Sequence, residues 1–313
     1  MLRAEVFPAR RSGCARVSRT SVPGRQGTSV PGALSAGDGG ARSDVEAIVL
    51  DIEGTTTPIA FVYDVLFPFA RLHLREFLQN PMNADALREP LQRLYEEWLV
   101  DPEARTSVLD EEPTSVPGGE RTSGDGGRGA VGDGGRQVVG DGGALKWAAS
   151  YVEWLMDRDR KSPGLKLLQG RIWEGGYRAG VLKGEVFSDV PPALQRWRDA
   201  GLDVAIYSSG SELAQRLIFG CTAYGDLTRF ISRFFDTAVG AKGAPASYRR
   251  IAAELGRTPD RLVFISDVTT ELDAAGAAGW TAILCVRPGN RPQPEHSHLQ
   301  ISSFDEIKIT WAG

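Results

Sequence analysis

Asp51 and Glu53 stand one residue apart in Val49-Leu50-Asp51-Ile52-Glu53-Gly54-Thr55-Thr56-Thr57-Pro58. Alternate residues of an extended segment share a side, so both carboxylates can reach one Mg²⁺, a hard ion that prefers oxygen ligands and phosphate company. An ionised carboxylate in that setting can also attack phosphorus. Three further groups suit the same chemistry. Ser208-Ser209-Gly210-Ser211 precedes a helical pattern through Glu212, Leu213, Leu217 and Ile218, and hydroxyls and N–H groups at a helix N-terminus suit phosphate. Lys242 lies in the glycine-flanked loop Gly240-Ala241-Lys242-Gly243-Ala244-Pro245, and Asp267 ends an apolar run with Glu271 four residues on. Each has a plain alternative when taken alone: two solvated turn acids, helix capping by serine, a surface lysine, an N-cap aspartate.

The elements that must position these groups are short apolar strands. Ala47 to Leu50 reads as a buried strand with a glycine turn behind it, and 203–207 and 261–266 read the same way. Ligands of open α/β sheets bind off the carboxyl ends of strands, and four strand ends here carry Asp/Glu, Ser-Ser, Lys and Asp in that order. Crossover helices are predicted over 191–200, 212–219, 246–255 and 271–278. Between the first two strands the pattern is helical: Phe61, Val65, Leu66, Phe69, Leu72 and Leu74, then Leu91, Leu94, Tyr95 and Leu99, then Trp147, Val152, Trp154 and Leu155. The expected architecture is a doubly wound, mostly parallel α/β core over 44–58 and 186–313, with a helical cap inserted over 59–185. Trp147, Trp154, Trp173 and Tyr177 are expected as cap core, with the lining of an apolar pocket as the alternative.

The order of these strand ends resembles the haloacid dehalogenase superfamily of phosphatases. The local wording is similar to the enolase-phosphatase family of methionine salvage: Asp51-Ile52-Glu53-Gly54-Thr55-Thr56-Thr57-Pro58-Ile59, Tyr207-Ser208-Ser209-Gly210-Ser211, Phe234-Phe235-Asp236-Thr237, Asp267-Val268-Thr269 and Val286-Arg287-Pro288-Gly289-Asn290. Most members of the superfamily carry Asp-x-Asp where this chain has Asp51-x-Glu53. The resemblance implies a Rossmannoid core with an α-helical cap and one Mg²⁺ per subunit. The activity implied is bifunctional: 2,3-diketo-5-methylthiopentyl 1-phosphate is enolised and then dephosphorylated to the acireductone through an aspartyl phosphate. Another small phosphate ester is the alternative substrate, since the cap decides what enters. Asp51 is then the nucleophile, Asp51, the Glu53 position and Asp267 are the metal ligands, and Lys242 with Ser208 and Ser209 binds the phosphoryl group. Whether the carboxylate or the backbone carbonyl of Glu53 meets the metal stays open, and so does the base for enolisation: Lys242, Glu53 or a metal-bound water.

Composition fits an enzyme acting on a small molecule. The chain has 313 residues, 42% of them hydrophobic, and 36 basic against 40 acidic residues give a net charge of −4. Neither a nucleic-acid nor a membrane partner is indicated. Cys14, Cys221 and Cys285 are too far apart to suggest a disulfide framework or a zinc site, and His296 with His298 reads as part of a solvated loop. Residues 1–43 and 113–143 share low-complexity units: Thr-Ser-Val-Pro-Gly from Thr20, Thr28 and Thr114, and Gly-Asp-Gly-Gly from Gly37, Gly124, Gly132 and Gly140. Both stretches read as disordered, the second as an insertion within the cap. The arginines of residues 1–32 are also similar to an organellar transit peptide, a minority alternative to the cytoplasmic (and also nuclear) placement and monomeric state that the family resemblance implies.

Overall fold

The computed structural model describes residues 45–108 and 142–307. The expectations placed on 1–43 and on 113–141, with Cys14 and the repeats, lie outside the described residues. Gly142 and Gly143, read with the insertion, instead open the helix α4 (Gly142–Asp157).

Six strands form one sheet: β1 (Ala47–Leu50), β2 (Asp203–Tyr207), β3 (Arg233–Phe235), β4 (Leu262–Ser266), β5 (Thr281–Cys285) and β6 (Leu299–Ile301), ordered β3-β2-β1-β4-β5-β6 and parallel throughout. β1 is paired on both sides, with Val49 opposite Ala205 and Phe264. All four of its residues are buried, as expected of a central parallel strand covered on both faces. Alternation sends Ile48 and Leu50 into an apolar cluster with α6 (Val190–Asp199) and α7 (Glu212–Gly220). Ala47 and Val49 enter a second cluster with Tyr248 and Ile251 of α8 (Pro245–Leu255) and Leu272 of α9 (Thr269–Ala277). The fold is therefore the doubly wound α/β class read from the sequence. β3, β5 and β6 are not among the strands read from the sequence; β3 and β6, each three residues long and at an edge of the sheet, carry too little alternation to register.

Between β1 and β2 the chain is helical: a π-helical turn over Phe61–Leu66, then α1 (Phe67–Gln79), α2 (Ala84–Leu99), a short α3 (Pro102–Ser107), α4, and α5 (Pro163–Arg178). The predicted apolar face of this first stretch needs correction. Val65 and Leu72 are 38% and 78% exposed, while Phe61, Leu66, Ala70, Leu74 and Leu78 are buried. The π turn widens the step from Phe61 to Leu66 to five residues, so the later face is carried by every fourth residue after Leu66 and the 3.6-residue phase read through it is shifted. Trp147, Trp154, Trp173 and Tyr177 are buried, and Trp98, Trp147, Tyr151 and Trp154 pack ring to ring. The chain leaves and re-enters the sheet region at adjacent points, since the Phe187 N–H donates to the Thr56 carbonyl at 3.0 Å.

α2 and α5 cross closely because Gly164 lacks a side chain. A Cβ there would stand 2.7 Å from the backbone nitrogen of Leu94 and 2.8 Å from its Cγ. Backbone cannot swing aside, so Gly164→Ala is expected to lower unfolding free energy by about 1–3 kcal/mol, read by denaturant titration. An unchanged midpoint would mean that the crossing is looser than these distances imply.

Candidate active site

The turn after β1 is built around Asp51. Its N–H continues the ladder to the Ile265 carbonyl at 2.9 Å, its Oδ1 accepts the Ile52 N–H at 2.7 Å, and the Thr56 hydroxyl donates to its carbonyl at 3.0 Å. These bonds fix a carboxylate that is 2% exposed. Gly54 follows with φ +72°, and a Cβ there would lie 2.4 Å from Oδ2 of Asp267. Glycine thus serves two ends, a left-handed turn and the close approach of a second carboxylate.

Lys242 reaches this carboxylate from the far side. Its Nζ is 2.7 Å from Asp51 Oδ1 and 2.6 Å from Glu271 Oε2. Lys242, expected at a strand end, stands instead in the turn ahead of α8, beyond β3. Three side chains hold that turn by its carbonyls: Tyr207 Oη donates to Gly240 at 3.0 Å, Ser247 Oγ to Ala241 at 2.8 Å and Tyr248 Oη to Lys242 at 2.7 Å. Ser266, the last residue of β4, donates from Oγ to Glu271 at 2.9 Å and lies 3.3 Å from Asp51 Oδ2.

Asp267 does not cap α9. That helix starts from Val268, and the Thr269 N–H is taken by Gln293 Oε1 at 3.0 Å. Its carboxylate therefore stays on the site, 7% exposed. Burial and the neighbouring Asp51 push it up to about 7, against the attraction of Lys242. Burial and Asp51 likewise raise Glu53 to about 7, opposed by Lys242 and Lys161. Glu271 is raised by burial and by Asp51. Burial alone would lower the Lys242 ammonium, but Asp51 and Glu271 override it and hold Lys242 above its usual range, so it stays charged.

Four acids thus gather around Lys242, which pairs with two of them, and this set of hard oxygens short of positive charge suits a divalent cation. Asn290 adds to the fit. Its Nδ2 donates to the Gly54 and Cys285 carbonyls at 2.9 and 3.1 Å, which turns Oδ1 toward Gly54, buried and without a partner. Among the described residues no three His, Cys, Asp or Glu side chains close on a single point. A cation here would take two carboxylates, from Asp51 and Asp267, and complete its shell with backbone carbonyl, water and ligand oxygen.

Ser208 is buried, and its Oγ accepts the Gly210 N–H at 3.1 Å. Ser211, rather than either predicted serine, caps α7 by accepting the Ala214 N–H at 3.3 Å. Glu271, Ser266 and Asn290 were not singled out as site residues. The one signal for Glu271 was its position one helical turn after Asp267, and Asn290 reaches Gly54 across 236 residues, which no local pattern records. A separate groove of about 370 Å³ opens beside Trp98, Val100, Arg105 and Val108, and none of the four acids borders it.

Residues 45–279 match the family model of haloacid dehalogenase-like hydrolases. The chain is 41% identical to the enolase-phosphatase E1 of Synechococcus elongatus, over 84% of this chain and 98% of that protein. It is 42% identical to a probable bifunctional methylthioribulose-1-phosphate dehydratase/enolase-phosphatase E1 of Arabidopsis thaliana, over 83% of this chain and 47% of that one. Among solved structures, the UTR4 protein of Saccharomyces cerevisiae superposes with a TM-score of 0.60 at 26% identity, covering 83% of this chain and 99% of that one.

Proposed function

The chain belongs to the haloacid dehalogenase-like hydrolases and, within them, to the enolase-phosphatases, and from that premise we propose a reaction for each group in the site. The substrate is 2,3-diketo-5-methylthiopentyl 1-phosphate, and the products are 1,2-dihydroxy-3-keto-5-methylthiopentene, the acireductone of methionine salvage, and phosphate. The observation that carries the reading is the 2.7 Å contact of Lys242 with Asp51 at the carboxyl edge of β1, with Asp267 against Gly54 beside it.

The first half-reaction moves a proton from C1. Lys242 stays charged between Asp51 and Glu271 and so does not accept it. The Glu53 carboxylate, which forms no ion pair among the described residues, is the acceptor we assign; its backbone carbonyl is then left to face the cation. In the second half-reaction Asp51 attacks phosphorus in line, and its Oδ–P bond forms as the P–O bond to the enol breaks. An enol oxygen leaves more easily than an alkoxide, so little is asked of a general acid. Lys242 holds a phosphoryl oxygen, the Ser208 hydroxyl and the Ser209 N–H and hydroxyl orient the group, the Ser208 N–H being taken by the Phe235 carbonyl at 3.1 Å, and water then hydrolyses the aspartyl phosphate. A divalent cation, one Mg²⁺ per subunit held by Asp51, Asp267 and the Glu53 position, supplies charge neutralisation between the anionic nucleophile and the anionic phosphate.

The helices over 59–185 form a cap on a core of 44–58 and 186–313, a division supported by the adjacency of Thr56 and Phe187. Among the described residues no helix is long and apolar enough to cross a membrane. We place the enzyme in the cytoplasm as a monomer. Incubating protein, Mg²⁺ and the diketo phosphate anaerobically should raise acireductone absorbance and free phosphate together, and a chelator should abolish phosphate release. Phosphate from generic esters with no turnover of the diketone would replace this substrate by another small phosphate ester. Silence in both channels would sink the assignment altogether.

A further inference from the structure

α5 forms the roof of the site. Its N-terminal turn is clamped to α2, where Glu97 accepts from the Ser162 hydroxyl and from the Gly164 N–H at 2.8 Å. One face of the helix then descends on the carboxyl edge of the sheet. Lys166 crosses to the loop after β3, with Nζ 3.3 Å from Thr237 Oγ1. A Cβ on Gly170 would stand 3.3 Å from Ser211 Oγ, so the helix lies directly on the serine turn. Trp173 Nε1 donates to the Leu66 carbonyl at 2.7 Å. Residues 166, 169, 170 and 173 share a face at the i, i+3, i+4 and i+7 spacing, which puts Gln169 between these contacts.

Gln169 and Lys166 on that face leave hydrogen-bonding or charge capacity unused. Gln169 is 7% exposed, yet its amide forms no hydrogen bond with another described residue. Its amide donors and acceptor are thus free to meet a ligand. Lys166 and Lys161 have no carboxylate within 4.0 Å among the described residues, although both act electrostatically on Glu53. Lys166 is half-buried, and burial together with Lys161 lowers its ammonium, against Asp236 and Glu53, which makes it the readier proton donor.

We propose that Lys166 and Gln169 bind the vicinal dicarbonyl of the substrate, with Lys166 the catalytic residue that stabilises the C2 oxyanion of enolisation. The assignment rests on the enolase-phosphatase reading above. When the C1–H bond breaks, the proton goes to Glu53, the bonding pair becomes the C1–C2 π bond, and the carbonyl π pair settles on the C2 oxygen. Lys166 donates to that oxygen and then protonates it, and solvent restores the lysine's proton. Gln169 donates to the C3 carbonyl, which fixes the dicarbonyl in the plane that enolisation requires. Phosphate is thus read from the floor, at Asp51 and Lys242, and the diketone from the roof.

The test compares wild type, Lys166→Met, Lys166→Arg and Gln169→Leu on the diketo phosphate and on a simple aryl phosphate, with C1-dideuterated diketo phosphate as a third substrate. Lys166→Met should lose about 100-fold in kcat on the diketo phosphate, far more than on the aryl ester, and its primary isotope effect should exceed the wild-type value. Lys166→Arg should recover part of the loss, and Gln169→Leu should raise KM for the diketone selectively. Equal losses on both phosphates with an unchanged isotope effect, or no loss at all, would overturn the proposal. If wild type itself fails to turn over the diketone, the substrate assignment has failed, a result that does not depend on either variant. Lys166→Gln provides a second neutral variant should the methionine protein not fold.

Discussion

Asp51→Asn should end phosphate release, with a loss of at least about 10⁴-fold, while acireductone's phosphorylated enol precursor still forms. The amide has no lone pair basic enough to attack phosphorus, so the second half-reaction loses its nucleophile outright. The surroundings should survive the change. An asparagine Oδ1 can still accept the Ile52 N–H, and Lys242 keeps its contact with Glu271 at 2.6 Å. The groups assigned to the first half-reaction, Glu53 and Lys166, are untouched. Single-turnover spectra of the variant with the diketo phosphate, read beside a phosphate assay, separate the two halves. Phosphate release within tenfold of wild type would exclude Asp51 as the nucleophile.

Arg287→Met is expected to be the most damaging change away from the reacting atoms. The Arg287 guanidinium is 6% exposed as a residue and lies between the rings of Phe187 and Phe304, at 4.6 and 4.8 Å from their centroids. It pairs with Asp189 at 2.8 Å and donates to the Ser302 carbonyl at 2.9 Å and to the Thr55 carbonyl at 3.2 Å. Methionine matches the length of the aliphatic stem and none of the donors. Asp189 keeps the Ser303 hydroxyl and the Phe304 N–H, but it loses its counter-ion in a buried place. Breaking such a pair costs about 3–5 kcal/mol, and the turn after Asp51 loses its tether at Thr55. Denaturant titration should show a lower midpoint with an unchanged slope. A loss under about 1 kcal/mol would mean that the aromatic sandwich, and not the charge, holds this corner.

The residues of the candidate site were legible because each stands next to a local signal: Asp51 and Asp267 just past strands, Lys242 between glycines, the serines ahead of a helix. What escaped was whatever depends on distant residues meeting. Arg287 touches Thr55 across 232 residues, and Asn290 touches Gly54 across 236. Both lie in the Val286–Asn290 stretch, whose wording was informative only as a likeness to a family. Glu271 looked like an ordinary helix residue, since nothing in its neighbours foretold that Lys242 would arrive beside it. The helical stretch after Pro58 shows its apolar composition in the sequence but not its phase, because a π turn leaves no mark in an apolar pattern.

The strand that leads into Asp51 is the first of the six described strands to be synthesised and one of the two innermost. Its hydrogen-bonding neighbours begin at Asp203 and Leu262, so neither exists until most of the chain has left the ribosome. Ala47 to Leu50, apolar on both faces, must wait unpaired while the whole stretch up to Asp203 is made, and non-local pairing of this kind is slow and exposed to aggregation. The consequence is temporal. A nascent chain ending before Asp267 lacks one of the carboxylates assigned to the site, so activity is expected only when the fold is nearly finished, and a premature stop there should leave an insoluble fragment in place of a weak enzyme.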